Sequence, residues 1–136
     1  MPLVRDYEIT SQALAGKRRV TVYLPQDDCG GKDAPVVFCA DGQTVGRFSE
    51  RVHEEIAKGQ LPSLILIGVH SCEEIRVGEY VEGIDDGLFD AHEQLFTKET
   101  LRWAQAEFDI EPKRERCGVF GFSNGGAFAI AMGFRH

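Results

Sequence analysis

The stretch Gly121-Phe122-Ser123-Asn124-Gly125 has the pattern G-x-S-x-G. That spacing suits one chemistry, attack by a serine hydroxyl on an acyl group. The pattern must follow a buried strand and open a helix, so that the serine sits on a sharp, strained turn and its hydroxyl projects above a sheet. Side chains at the flanking positions would clash in so tight a turn, which fits Gly121 and Gly125, and Gly126 lets the helix approach the sheet. The helix would aim its free N–H groups and positive dipole end at a developing oxyanion, with the Asn124 N–H as one donor. The plainer reading makes Ser123 a helix N-cap. Three glycines at a strand–helix junction favour the nucleophile.

A serine nucleophile needs a base, and four histidines are available. His53 lies among charges in a helical stretch and reads as solvated. His92 falls on a helix face that looks buried. His136 sits at the far end of the helix that opens at Asn124, about 18 Å away over twelve residues, so it cannot serve. His70 follows a strand at the same rim as Ser123 and is the best substitute base; its alternative is a loop histidine bounding the cleft. No carboxylate follows Ser123.

The elements that must position these groups are legible as apolar patterns. "RRVTVYLP" alternates, with Val20, Val22 and Leu24 on one face, and reads as a half-buried strand ended by Pro25. Lys17-Arg18-Arg19 reads as a solvated lead into it. "DDCGGKDA" is a turn-rich connection. "PVVFCA", Leu64 to Val69 and "RCGVFGF" are continuous apolar runs, expected as strands covered on both faces. Val45, Phe48, Val52 and Ile56 recur at helical spacing, with Gly59 as a C-cap. The polar stretch from Ser71 to Gly87 reads as a long loop. Leu88 to Phe108 reads as a helix with Leu88, His92, Leu95, Leu101, Ala104 and Phe108 on one side. Asn124 to Phe134 reads as another, with Ala127, Ile130, Ala131 and Phe134 facing the core.

Strands alternating with helices imply a mainly parallel α/β sheet with helices on both faces. Ligands bind at the carboxyl ends of such strands. Asp41-Gly42-Gln43, His70 onward and Ser123 follow those ends and should share one rim. The 136 residues suit one domain, and no linker or internal repeat divides them.

Composition narrows the partners. A net charge of −7 argues against a nucleic-acid backbone. No run of 18 apolar residues suggests a membrane helix, and the N-terminus lacks the apolar region of a signal peptide. Cys29, Cys39, Cys72 and Cys117 form no C-x-x-C and no zinc spacing with histidine. Cys39 and Cys117 read as small buried hydrophobes, and a reducing cytoplasm fits best. No metal or organic cofactor is implied.

The chain resembles the putative-esterase branch of the α/β-hydrolases, which includes enterochelin-esterase-like and esterase D-like enzymes. The resemblance rests on "RRVTVYLP", "PVVFCADGQ", "LILIGVHS", "RVGEY" (residues 76–80) and "GFSNGGAFA", and runs from about Arg18 to His136. It implies an α/β-hydrolase-type sheet, ending just after the nucleophile elbow. It implies a serine-type ester hydrolase acting on a small-molecule ester, with Ser123 as nucleophile and the backbone N–H groups of Gln43 and Asn124 as oxyanion hole. Arg76 and Glu79 would form an ion pair shaping the loop beside the site, or on the plainer reading a surface salt bridge. The family's triad acid and histidine follow the elbow and have no counterpart in these 136 residues. The strand before Ser123 would then have a bare apolar edge, available for self-association. The second reading is therefore a non-catalytic half-domain that acts through association. A Rossmann-like nucleotide binder is disfavoured, since the glycines do not spell G-x-G-x-x-G.

Overall fold

Three short apolar runs form the centre of a five-stranded sheet. Strand β3 (Val36–Cys39) lies between β4 (Ile65–Val69) and β5 (Cys117–Phe120) and runs parallel to both. On the other side of β4 the sheet turns antiparallel. There β2 (Gly16–Leu24) pairs with β4, and β1 (Leu3–Ser11) pairs with β2. The order is β1-β2-β4-β3-β5, so the expected mainly parallel sheet is mixed. This computed structural model describes residues 3–25 and 32–136; most of the turn-rich connection, including Cys29, lies outside the described residues.

Successive strand residues point to opposite faces, and each face has its own core. Val20, Val22, Val36, Phe38, Ile65 and Ile67 share one with Phe89, Leu95, Phe96, Phe128 and Met132. Those partners come from a helix pair. Helix α3 (Asp86–Gln94) continues through a π-helical stretch (Leu95–Glu99) into α4 (Thr100–Phe108), and α5 is Asn124–Arg135. On the other face Tyr23, Cys39 and Leu66 meet α1 (Val45–Ala57) through Val45, Phe48, Val52 and Ile56, the apolar set expected from spacing. Helices therefore cover both faces.

Several expectations are corrected. β1 has no apolar alternation to mark it: only Ile9 and Ser11 are buried, and Tyr7 packs edge-on against Trp103 and Phe108. β2 is not half-buried, because α1 covers Tyr23 on its second face. Arg18 is not a solvated lead residue but is buried. The loop from Ser71 to Gly87 contains a short helix, α2 (Arg76–Tyr80). β5 is not buried, and Cys117 is only partly covered, since β5 is an edge strand with one neighbour.

The face of α5 is also reversed from expectation. Ala127, Ile130 and Phe134 are exposed, whereas Gly125, Phe128, Ala129 and Met132 are buried. From Gly125 to Phe134 this helix has no polar residue, so periodicity cannot select a face. A ring cluster selects it: Phe128 lies 4.9–5.9 Å, centroid to centroid, from Tyr80, Phe89, His92 and Phe96.

Candidate active site

Because β3, β4 and β5 are parallel, their carboxyl ends open on one rim. After β3 the chain turns at Asp41, with φ 51° and ψ 55°, into a 3-10 turn (Gly42–Thr44) that leads to α1. Gly42 is pressed against β4: a Cβ there would stand 2.0 Å from the Gly68 carbonyl oxygen. After β4 come His70 and Ser71. After β5 comes Ser123, exposed, with φ 53° and ψ −123°.

L-residues rarely occupy that conformation at Ser123, and it persists only where the surroundings enforce it. Here they do. A Cβ on Gly121 would lie 2.2 Å from the Gly125 carbonyl oxygen, so the two arms of the turn touch through backbone alone. A Cβ on Gly125 would lie 3.2 Å from both Ala40 Cβ and Asp41 Oδ2, so the start of α5 rests on the end of β3. The Ser123 carbonyl accepts from Ala127 N, which starts the helical ladder. The N–H groups of Asn124, Gly125 and Gly126 precede that ladder and have no acceptor within the helix.

A polar hub joins the rim segments. Arg76 grips the Asp41 carboxylate with two bonds, Nε to Oδ1 at 2.9 Å and Nη2 to Oδ2 at 2.7 Å. Ser71 Oγ donates to the same Oδ1 at 2.5 Å. Gln43 holds Ser71 from the other side, donating from Nε2 to its hydroxyl and accepting its N–H at Oε1. Asp41 N donates to the buried Tyr80 hydroxyl at 2.8 Å. Burial raises the Asp41 carboxyl pKa, but hydrogen bonds from Arg76 and Ser71 outweigh it and hold it below the usual value. Burial pushes the Tyr80 phenol well above its ordinary value.

The expected Arg76–Glu79 ion pair does not exist. Glu79 points the other way and pairs with Arg18, Nη1 to Oε1 at 3.0 Å and Nη2 to Oε2 at 2.7 Å. Both are buried, so this is no surface salt bridge either. Arg18 Nη1 also donates to the His70 carbonyl. Helix α2 is thus tied through Arg76 to the end of β3 and through Glu79 to β2.

Each histidine is engaged away from Ser123. His70 Nε2 lies 2.7 Å from Thr21 Oγ1 on β2, and Thr21 in turn donates to Asp6. From the end of β4 to β5 is two strand spacings, roughly 10 Å, and the ring leans the opposite way. Desolvation lowers the His70 pKa, Asp6 opposing and Arg19 and Arg18 adding to the effect. His53 is not solvated; its Nδ1 meets the Tyr23 hydroxyl at 3.1 Å. His136 Nε2 meets Glu93 at 2.9 Å beyond the far end of α5. His92 is buried among Tyr80, Phe96 and Phe128, with neither ring nitrogen hydrogen-bonded among the described residues. Burial lowers its pKa to about 3, so the ring is neutral.

Sequence reasoning placed Asp41, Gly42, Gln43, Asn124 and Ser123 at the rim. It missed Ser71 and Tyr80 as members of the hub and Arg18 as the anchor of α2. All three lie in stretches that carry the resemblance: Arg18 opens "RRVTVYLP", Ser71 ends "LILIGVHS" and Tyr80 ends "RVGEY". Among the described residues no three His, Cys, Asp or Glu side chains assemble as metal ligands. A hollow of about 440 Å³ is lined by Phe96, Leu101, Cys117, Val119, Met132 and His136 and does not reach Ser123. It is the uncovered flank of β5 rather than a substrate pocket.

A family model described as "Putative esterase" matches residues 11–136. Several solved structures share the fold. A ferulic acid esterase superposes with a TM-score of 0.82 at 21% identity, covering 100% of this chain and 56% of that one. The enterobactin esterase of Shigella flexneri gives 0.78 at 16% identity, covering 97% of this chain and 33% of that one. An S-formylglutathione hydrolase from Agrobacterium tumefaciens gives 0.73 at 15% identity, covering 99% and 54%. The chain therefore spans between a third and somewhat over half of the structures it matches. No curated protein sequence matches it.

Proposed function

This chain belongs to the putative esterase family, and on that premise we propose that it carries the acyl-accepting part of a serine-type carboxylic ester hydrolase. Ser123 Oγ attacks the ester carbonyl carbon of a small-molecule substrate. The carbonyl oxygen becomes an oxyanion held by the backbone N–H groups of Gln43 and Asn124. The alcohol leaves, and water then releases the acid from the acyl-serine. The observation that supports this most is the backbone of Ser123, φ 53° and ψ −123°, enforced by a backbone contact that only glycine allows at position 121 and by tight packing at Gly125. A helix-capping serine needs no such strain, and Ser123 makes no side-chain capping bond.

The hydroxyl proton needs an acceptor. With His53, His70 and His136 engaged elsewhere and His92 buried away from the turn, the general base of the working enzyme comes from outside these 136 residues. The same reading keeps Cys39, Cys72 and Cys117 as reduced thiols in the cytoplasm, all three being unpaired. It gives nucleic acid no role.

The test is covalent. The 136-residue protein is incubated with a fluorophosphonate, with imidazole as an external base, and weighed intact by mass spectrometry. One adduct is expected, faster with more imidazole and lost in Ser123→Ala. Folded protein that gains no adduct, or an adduct that survives Ser123→Ala, overturns the reading and leaves a non-catalytic half-domain.

A further inference from the structure

Two oxyanion donors on separate segments are useful only if something fixes the distance between them. Gln43 follows β3 and Asn124 follows β5. We propose that Arg76 is the positioning residue that sets this distance, by holding the Asp41 carboxylate as the seat on which the Ser123 turn rests. This rests on the nucleophile reading above for its catalytic meaning.

Three independent contacts carry it. First, the carboxylate is immobilised: two Arg76 nitrogens and the Ser71 hydroxyl bond it at 2.5–2.9 Å. A planar guanidinium matches a carboxylate in this way, and a lysine ammonium does not. Second, the elbow sits on that carboxylate. Gly125 packs against Asp41 Oδ2 so closely that a Cβ would come within 3.2 Å. Arg76 Nη2 also faces the Phe122 carbonyl oxygen, at 3.4 Å, in the peptide that leads into Ser123. Third, Asp41 carries the other donor. Its carbonyl accepts from Thr44 N at 2.9 Å and Thr44 Oγ1 at 2.7 Å, closing the turn that contains Gln43.

Arg76 is itself held. Its guanidinium lies 5.1 Å from the centre of the Tyr80 ring, and the buried Glu79–Arg18 pair pins α2 to β2. An exposed Arg–Asp pair of this kind would contribute little. What distinguishes this one is that one arginine touches the bases of both donor-bearing segments.

The experiment is amide hydrogen exchange on the whole 136-residue protein, wild type beside Arg76→Lys and Arg76→Gln, resolved by residue. In Arg76→Lys the charge is kept, but the two-bond grip on Asp41 and the contact to the Phe122 carbonyl are lost. Exchange over residues 127–129, the first hydrogen-bonded amides of α5, rises about tenfold, the scale of one charge-assisted hydrogen bond lost, while Thr44, Val45 and β4 stay within about twofold. In Arg76→Gln both 44–45 and 127–129 quicken together and β4 does not. Fluorophosphonate labelling of Ser123 slows about tenfold to a hundredfold in Arg76→Lys, as misplacement of the donors predicts.

The proposal is overturned if 127–129 is unchanged in both variants. It is also overturned if every amide quickens equally, or if Arg76→Lys does not fold, since Arg76 would then be a stability residue only. Wild type that is never labelled, with the local exchange pattern intact, refutes the nucleophile reading and leaves the positioning role of Arg76 standing.

Discussion

The two edges of this sheet are finished differently. At one edge β1 closes the sheet with Arg5, Asp6 and Glu8 on a charged, exposed strand, and a Lys17–Glu8 pair at 3.6 Å lies across it. Charged outer strands of this kind block further pairing. At the other edge β5 has four residues, no charge and one neighbour. Around it stand Phe122, 60% exposed, Ile130, 64%, and Phe134, 88%. The serine turn lies at this second, open edge. The sealed edge supplies rigidity: the Arg18–Glu79 pair and the His70–Thr21–Asp6 chain lie toward it. The chemistry-bearing turn borrows that rigidity through α2.

This contrast breaks most readily at the buried pair. Glu79→Gln leaves the Arg18 guanidinium buried without a counter-charge, and should cost about 3–5 kcal/mol, read as a lowered urea midpoint. A loss below about 1 kcal/mol would mean that the sealed side is not what holds α2.

The next effect is a pH dependence centred on His92. Its ring is neutral in the folded protein, with a pKa of about 3, against the ordinary 6.5. The unfolded chain therefore binds a proton that the folded one refuses, and stability falls as pH drops from 6.5 toward 3. Between pH 6.5 and 5 the loss is about 2 kcal/mol. His92→Phe should flatten the stability profile over that interval by this amount. An unchanged slope would show that His92 finds a proton acceptor in the fold, with Glu79 Oε1 the nearest at 3.7 Å.

The smallest effect belongs to the open edge. Ile130→Glu and Phe134→Glu, on the outer face of α5, should each change stability by no more than about 0.5 kcal/mol while lowering binding of an apolar dye. A loss of 2 kcal/mol or more in thermal unfolding would show that this face is covered in solution, and the comparison of the two edges would fail.

The elements whose signals are local were legible in the sequence. β3, β4 and α1 follow from unbroken apolar runs and helical spacing. The Ser123 turn follows from glycines within two residues of it, because close approach of backbone arms is a short-range demand. The shared rim follows from strands and helices that alternate. Partners and faces were not legible. Arg76 and Glu79 are three residues apart and opposite in charge, so proximity along the chain suggested that they pair. The fold sends one to Asp41, 35 residues away, and the other to Arg18, 61 residues away. Arg18 looked solvated because burial of a charge depends on a partner that the local pattern does not contain. The inner face of α5 was undecided by a helix apolar on all sides, and was settled by the rings of α2 and α3. Sequence by itself determined the central strands, α1 and where the serine turns. Tertiary structure decided which charge meets which and which apolar face is left outside, because those depend on the order in which the strands lie side by side.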